Sequence, residues 1–208
     1  MLLPITANII NNWSVAHMEF DPSFLDQIKS AAHDAGLSDD IAAALPRIIQ
    51  IESGGNPNEA TPSGTYTGLL QMGPDERAKY GGDSLEAGLA LLKDRSNQLE
   101  KQLGRPPTAA ELYFAHQQGV GGFTAQNANP DAPAWQNMAG TAEGRHKGEG
   151  WAKQAIWGNI PSDMRSQFGN VDNVTGRQFL DLWRQKVEGG VRTAAANPDG
   201  PFRGERHG

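Results

Sequence analysis

The stretch Ile48–Met72, "IIQIESGGNPNEATPSGTYTGLLQM", decides how this chain is read. An apolar run, Ile48 to Ile51, leads directly into the carboxylate of Glu52 and then breaks at Ser53-Gly54-Gly55. On a helix Glu52 stands four residues after Ile48 and three after Ile49, so it shares their stripe rather than the polar face. A carboxyl on a buried stripe is desolvated, which raises its pKa. It also falls in the last helical turn, where the negative end of the helix dipole disfavours an anion. Both effects keep the carboxyl protonated near neutral pH, as a general acid for glycosidic cleavage requires. Gly54 and Gly55 let the chain turn sharply and leave the carboxyl facing an open cleft. Periodicity alone also fits a Glu at a frayed helix end that points into water.

Upstream of this stretch, Asp21-Pro22 supplies an N-cap and a Pro at the first helical position. Phe24, Leu25, Ile28, Ala31 and Ala32 follow at helical spacing, and Gly36 stops the helix. Ser38 caps a second helix over 39–53, with Pro46 predicting a kink or break inside it. Downstream, residues 54–83 are rich in Gly, Pro, Asn and Thr and read as a structured loop, with a short hairpin around Thr65–Leu70. Ser84 opens a helix to Leu103 whose leucines, 85, 89, 92, 99 and 103, form one stripe. Thr108 and Glu111 make a capping box that starts a helix ending at Gly119. Residues 119–150 read as loop, and "GRHKGEG" at 144–150 reads as a flexible loop over the cleft. Trp151–Trp157 and Pro161–Phe168 read as short helices. Thr175 and Gln178 form a second capping box, opening a helix with Phe179, Leu182, Trp183 and Val187 on one face.

The chain thus reads as mainly α, with an N-terminal arm over 1–20, one domain over 21–190 and a disordered tail over 191–208. Its 208 residues are enough for one substantial core. A net charge of -6 argues against nucleic acid as the main partner, because phosphate binding needs a basic surface. No apolar run approaches the roughly 20 residues of a membrane helix, so no membrane insertion is expected. The start "MLLPITANIINNW" lacks a basic region and is not read as a secretory signal. Cysteine is absent, which excludes disulfides and thiolate metal sites. The five histidines show no H-x-x-x-H or H-E-x-x-H spacing, so neither a metal nor a cofactor is expected.

"ESGGNPNEATPSGTYTGLLQM", residues 52–72, resembles the first signatures of the soluble lytic transglycosylases, E-S-G-x-N-P followed by G-L-M/L-Q-M/I. "AAHDAGLSDDIAAALPRIIQ" resembles the two helices that lead into that family's catalytic Glu. "YFAHQQGVGG", from Tyr113, resembles its third signature, A-Y-N-A-G-x-G, with His116 in place of Tyr and Gln117 in place of Asn. The variant form A-H-x-x-G-x-G-G is similar to phage-associated members. The resemblance covers roughly residues 22–125.

The resemblance implies a lysozyme-like helical domain (goose-type lysozyme and its relatives) with long loops. It implies cleavage of the β-1,4 bond between N-acetylmuramic acid and N-acetylglucosamine in peptidoglycan. Glu52 would protonate the leaving oxygen, then take the proton of the muramoyl C6 hydroxyl to leave a 1,6-anhydro ring. The substrate's own N-acetyl group stabilises the cationic centre, so no second carboxylate is needed. Glu59 is the nearest candidate for one, and as a loop residue it reads better as a solvated charge.

Ser53 would lie near the acid. Gly68, Leu69, Leu70, Gln71 and Met72 would line the cleft floor, with Gln71 bonding an N-acetyl group. Either His116 or Tyr113 would orient Glu52, with Gln117 a weaker sugar-binding candidate. Trp183 reads as core, and Trp151 as a surface on which a sugar stacks. Two alternatives stay open: a hydrolytic lysozyme using the same Glu52, and a non-catalytic peptidoglycan-binding component of a virion or secretion apparatus. The expected site of action is the periplasm and cell wall, reached by phage particle, holin or secretion machine, with the N-terminal arm as a docking element.

Overall fold

The computed structural model of the protein describes residues 20–188, so the expected tail over 191–208 and nearly all of the expected arm over 1–20 lie outside the described residues. The fold is mainly helical. Among the described residues β-structure is limited to isolated bridges, Ala60 with Thr67, Thr67 with Met72 and Pro133 with Thr175. No helix there is long and apolar enough to cross a membrane.

Helix α1 (Pro22–Asp34) starts where Asp21 accepts the Ser23 N–H, with Pro22 at its first position. Helix α2 (Asp39–Ser53) is capped by Ser38 and ends at Gly54, which adopts a left-handed φ of 62°. Of the kink or break expected at Pro46, the break does not occur: α2 is one helix with Pro46 inside it. One hydrogen bond is lost there, but Ile41, Leu45, Ile48 and Ile49 are buried along the same helix and anchor both halves.

The expected loop 54–83 contains a further helix, α3 (Pro74–Tyr80). Its start was written in the chain, since Pro74 sits at the first position and Glu76 Oε2 accepts the Gly73 N–H at 2.8 Å. The bridges place the hairpin-like turn over Thr67–Met72. Helix α4 (Leu85–Leu103) follows its Ser84 cap as expected.

Helix α5 (Ala109–Ala128) departs most from expectation. It begins at the Thr108–Glu111 capping box, and its first segment ends at Gly119 as expected, but a second segment follows where loop was expected. Gly119 takes φ 74°, ψ 154°, a kink after which the helix resumes. Phe123 and Gln126, both buried, hold the second half against the core.

The rest of the expected loop 119–150 is helical too, with α6 (Ala134–Ala139) and α7 (Ala142–Lys147). Helix α8 (Glu149–Trp157) starts two residues earlier than expected. Glycines in this stretch serve packing. A Cβ on Gly144 would lie 2.0 Å from the Met138 carbonyl oxygen, and one on Gly122 would press on the Met138 methyl. The short helix expected over Pro161–Phe168 is one turn, α9 (Arg165–Phe168), followed by a 3-10 turn at Val171–Asn173. Helix α10 (Gly176–Glu188) then packs along α5 and also touches α2 and α6.

One core of buried residues runs from Ile28 to Val187. Its aromatic centre joins α5 to α10: Phe114 meets Phe179, Trp183 and Phe123 edge to face, and Tyr113 meets Trp183 at 5.5 Å. Helices α2, α5 and α10 therefore converge on the end of α2, where Glu52 stands.

Candidate active site around Glu52

Glu52 lies on the buried stripe with Ile48 and Ile49, in the last turn of α2, and is 3 % exposed. Its Oε1 accepts two hydrogen bonds from α5, the Tyr113 hydroxyl at 2.6 Å and the Gln117 amide at 2.5 Å. These donors are four apart on one helix face. Oε2 is buried and has no hydrogen-bond partner among the described residues.

Burial pushes the Glu52 pKa up from 4.5 to about 7, and the Tyr113 bond, the Lys186 charge, the Gln117 bond and the Arg95 charge partly offset it. The proton of the neutral acid therefore has one place to sit. Two donors already occupy Oε1, so the O–H is on Oε2, and Oε2 is the oxygen able to give it away. Burial and the adjacent Glu52 push the Tyr113 pKa well up, which keeps that hydroxyl a donor.

Of His116 and Tyr113, Tyr113 is the one that bonds Glu52. His116 faces away from the acid. Arg95 donates to its Nδ1, which leaves the proton on Nε2 to bond the Leu70 carbonyl at 3.1 Å. Burial and the Arg95 charge lower the His116 pKa to about 3, so the ring is neutral. Arg95 in turn pairs with Glu76. This chain from α3 through α4 and α5 fixes the turn that follows Gly68.

The other expected site residues are placed as follows. Ser53 turns its hydroxyl back into the helix end, donating to the Ile49 carbonyl at 3.1 Å and accepting the Gly55 N–H. Gly68, at φ 82°, packs so tightly that a Cβ would lie 2.4 Å from the Asp83 carbonyl oxygen. Leu69 and Leu70 are in the core, and Met72 is fully buried in a small cluster with Ala87 and Leu91.

Gln71 has a left-handed φ of 47° and spends its amide N–H groups on the Glu59 and Gly68 carbonyls at 3.1 and 2.9 Å. The turn that was expected to line a cleft is thus largely buried against its neighbours in the fold. Glu59 accepts from Asn56 in the loop. Trp151, half-buried on α8, carries the Lys147 ammonium 4.9 Å from its ring, and α8 packs chiefly on α6 and α7, not against Glu52's helix.

Among the described residues the carboxyl is covered, not exposed. The stripe that carries it faces the junction of α2, α5 and α10, and that junction covers the carboxyl.

Besides Arg95, two cations were missed. Lys186 on α10 is 9 % exposed, and its ammonium lies 4.7 Å from the Trp183 ring and 5.8 Å from the Tyr113 ring. Arg47 on α2 donates its Nε–H to the Lys186 carbonyl at 3.4 Å. Among the described residues no cluster of three or more His, Asp or Glu is placed to hold a metal ion. The chain matches no family model and no curated protein sequence.

Proposed function

We propose that the protein is a peptidoglycan lytic transglycosylase with a lysozyme-like helical domain and Glu52 as its single acid/base. The observation that carries this reading is the setting of Glu52: a buried carboxyl whose Oε1 is bonded by Tyr113 and Gln117 and whose Oε2 has no partner among the described residues, with burial raising its pKa to about 7. An acid tuned to neutral pH by burial is the form that protonates a leaving oxygen efficiently.

In the proposed reaction the Oε2 proton passes to the glycosidic oxygen as the bond from the muramoyl anomeric carbon breaks. The N-acetylglucosamine hydroxyl leaves. The new carboxylate then takes the proton of the muramoyl C6 hydroxyl, whose oxygen closes on the anomeric carbon. The acid is restored and no water is consumed. Tyr113 and Gln117 stay bonded to Oε1 throughout and stabilise the anionic half of the cycle. The partners are glycan strands, and the site of action is the cell wall, with delivery by a phage particle, holin or secretion machine.

A second reading is favoured by one observation. Glu52 is covered, and a working acid must touch its substrate, so the fold would serve as a non-catalytic wall-binding component if the cover does not open. Glu52→Gln separates the two. For the enzyme, lysis of purified walls is lost while sedimentation of the protein with walls is retained. If wild type binds walls and does not lyse them, the binding reading replaces the enzyme.

A further inference from the structure

We propose that Lys186 is a positioning residue for the Glu52 proton: its buried ammonium on α10 sets how firmly the carboxyl on α2 holds that proton. This rests on the reading of Glu52 as an acid/base and assigns control of its charge to a helix far along the chain from the motif.

The geometry is specific. Lys186 follows Trp183 by three residues and Phe179 by seven, so it rides the apolar stripe of α10 that faces α5. A lysine head there has little water. It settles on π faces, those of Trp183 and of Tyr113, whose hydroxyl bonds Glu52. It makes no hydrogen bond or direct ion pair among the described residues, so its charge acts on Glu52 through a water-poor interior where screening is weak.

The other charged or titratable groups around the pair are few. Arg47 of α2 lies beside Lys186 and Tyr113. Arg95 of α4 acts on Glu52 but is paired to Glu76. His116 of α5 is neutral. Burial lowers the Lys186 pKa from 10.5 to about 8 against the pull of Glu52, above the about 7 of Glu52, so the ammonium is mostly charged at the midpoint of the Glu52 titration.

The consequence for the reaction is directional. When Glu52 gives up its proton, the carboxylate is left with a cation that is present beforehand and needs no reorganisation. Without Lys186 the acid holds its proton more tightly, and the anionic half of the cycle becomes the harder one.

The test is the titration of the Glu52 carboxyl by NMR in ¹³C-glutamate-labelled protein, with Glu52→Gln used to assign the signal. We expect Lys186→Met to raise the midpoint by about one pH unit, the lower end of what a nearby opposite charge produces. Lys186→Arg, which keeps the charge, should leave the midpoint close to wild type. A residue that only packs would alter thermal stability and leave the midpoint unmoved in both, which overturns the proposal.

Should Lys186→Met fail to fold, wild type supplies the answer. The Lys186 Cε signal must move as Glu52 titrates, and the Glu52 signal must show a second step as Lys186 loses its proton. Absence of both steps also overturns it. No substrate enters these titrations, so a failure to find wall cleavage and a failure of the Lys186 coupling are separate outcomes.

Discussion

Glu52 is a carboxyl with unequal oxygens, and its chemistry follows from that inequality. Replacing Tyr113 by Phe keeps the ring among its aromatic neighbours and removes one donor from Oε1. The pKa of Glu52 should rise, because a bond that favoured the anion is gone. In a pH profile of wall lysis the alkaline limb should move upward, with the rate at neutral pH falling about 10- to 100-fold as the acid loses its orientation.

Stability should also report the buried acid. Unfolded, Glu52 ionises near 4.5; folded, it keeps its proton to about 7. Between these values the folded state binds the extra proton, so this residue makes stability fall as pH rises from 4.5 to 7, by about 3 kcal/mol in all. Glu52→Gln removes that dependence. Denaturant melts should show the variant gaining on wild type between pH 5 and pH 8, and a difference that stays flat with pH would contradict the burial of an ionisable group there.

The reasoning that picked out Glu52, a charged residue on an apolar stripe, was equally available for Lys186 and for Arg95, which falls between Leu92 and Leu99 on α4. Which charges meet across helices is a matter of tertiary packing, and for that reason the seat of Lys186 on the Tyr113 and Trp183 rings was not legible. The burial of Glu52 and the upward direction of its pKa were, because the stripe of α2 that carries it already marks the face turned to the core.

At the level of elements, caps were reliable signals, and glycines were reliable at helix ends but misleading inside close packing. Asp21, Ser38, Ser84 and Thr108 each cap the helix they were expected to cap. Gly119 ends the first segment of α5 as expected, but helix resumes beyond it, and Gly144 lets two backbones touch although it looks like a loop residue in one dimension.

The Gly68–Met72 turn depends on one such close approach. Gly68→Ala combines a left-handed φ with a collision against the Asp83 carbonyl, and should cost at least about 2 kcal/mol in a denaturant titration. His116→Phe tests the tie from the other side. It leaves the Leu70 carbonyl and the Arg95 guanidinium without their ring partner, at a cost of about 1–3 kcal/mol. Because His116 does not bond Glu52, the midpoint of the acid's titration should stay in place in this variant, in contrast to Tyr113→Phe.

In the whole molecule, residues 126–188 belong to the same core as the motif-bearing half. Trp183 touches Tyr113, Phe114 and Phe179, so the last helix braces the face of α5 that holds the acid. Trp183→Ala should cost roughly 3–5 kcal/mol and lower the cooperative melting of the entire domain. A separate early transition confined to α10 would show that the helix is only appended. The resemblance in the chain extended to about residue 125, and α10 lay beyond it. The most direct measurement for the molecule as an enzyme is mass spectrometry of muropeptides released from purified peptidoglycan by wild type and by Glu52→Gln. Products one water lighter than reducing muropeptides, from wild type alone, are the expected result. Full-mass reducing ends, or equal release by the variant, would contradict a transglycosylase that works through Glu52.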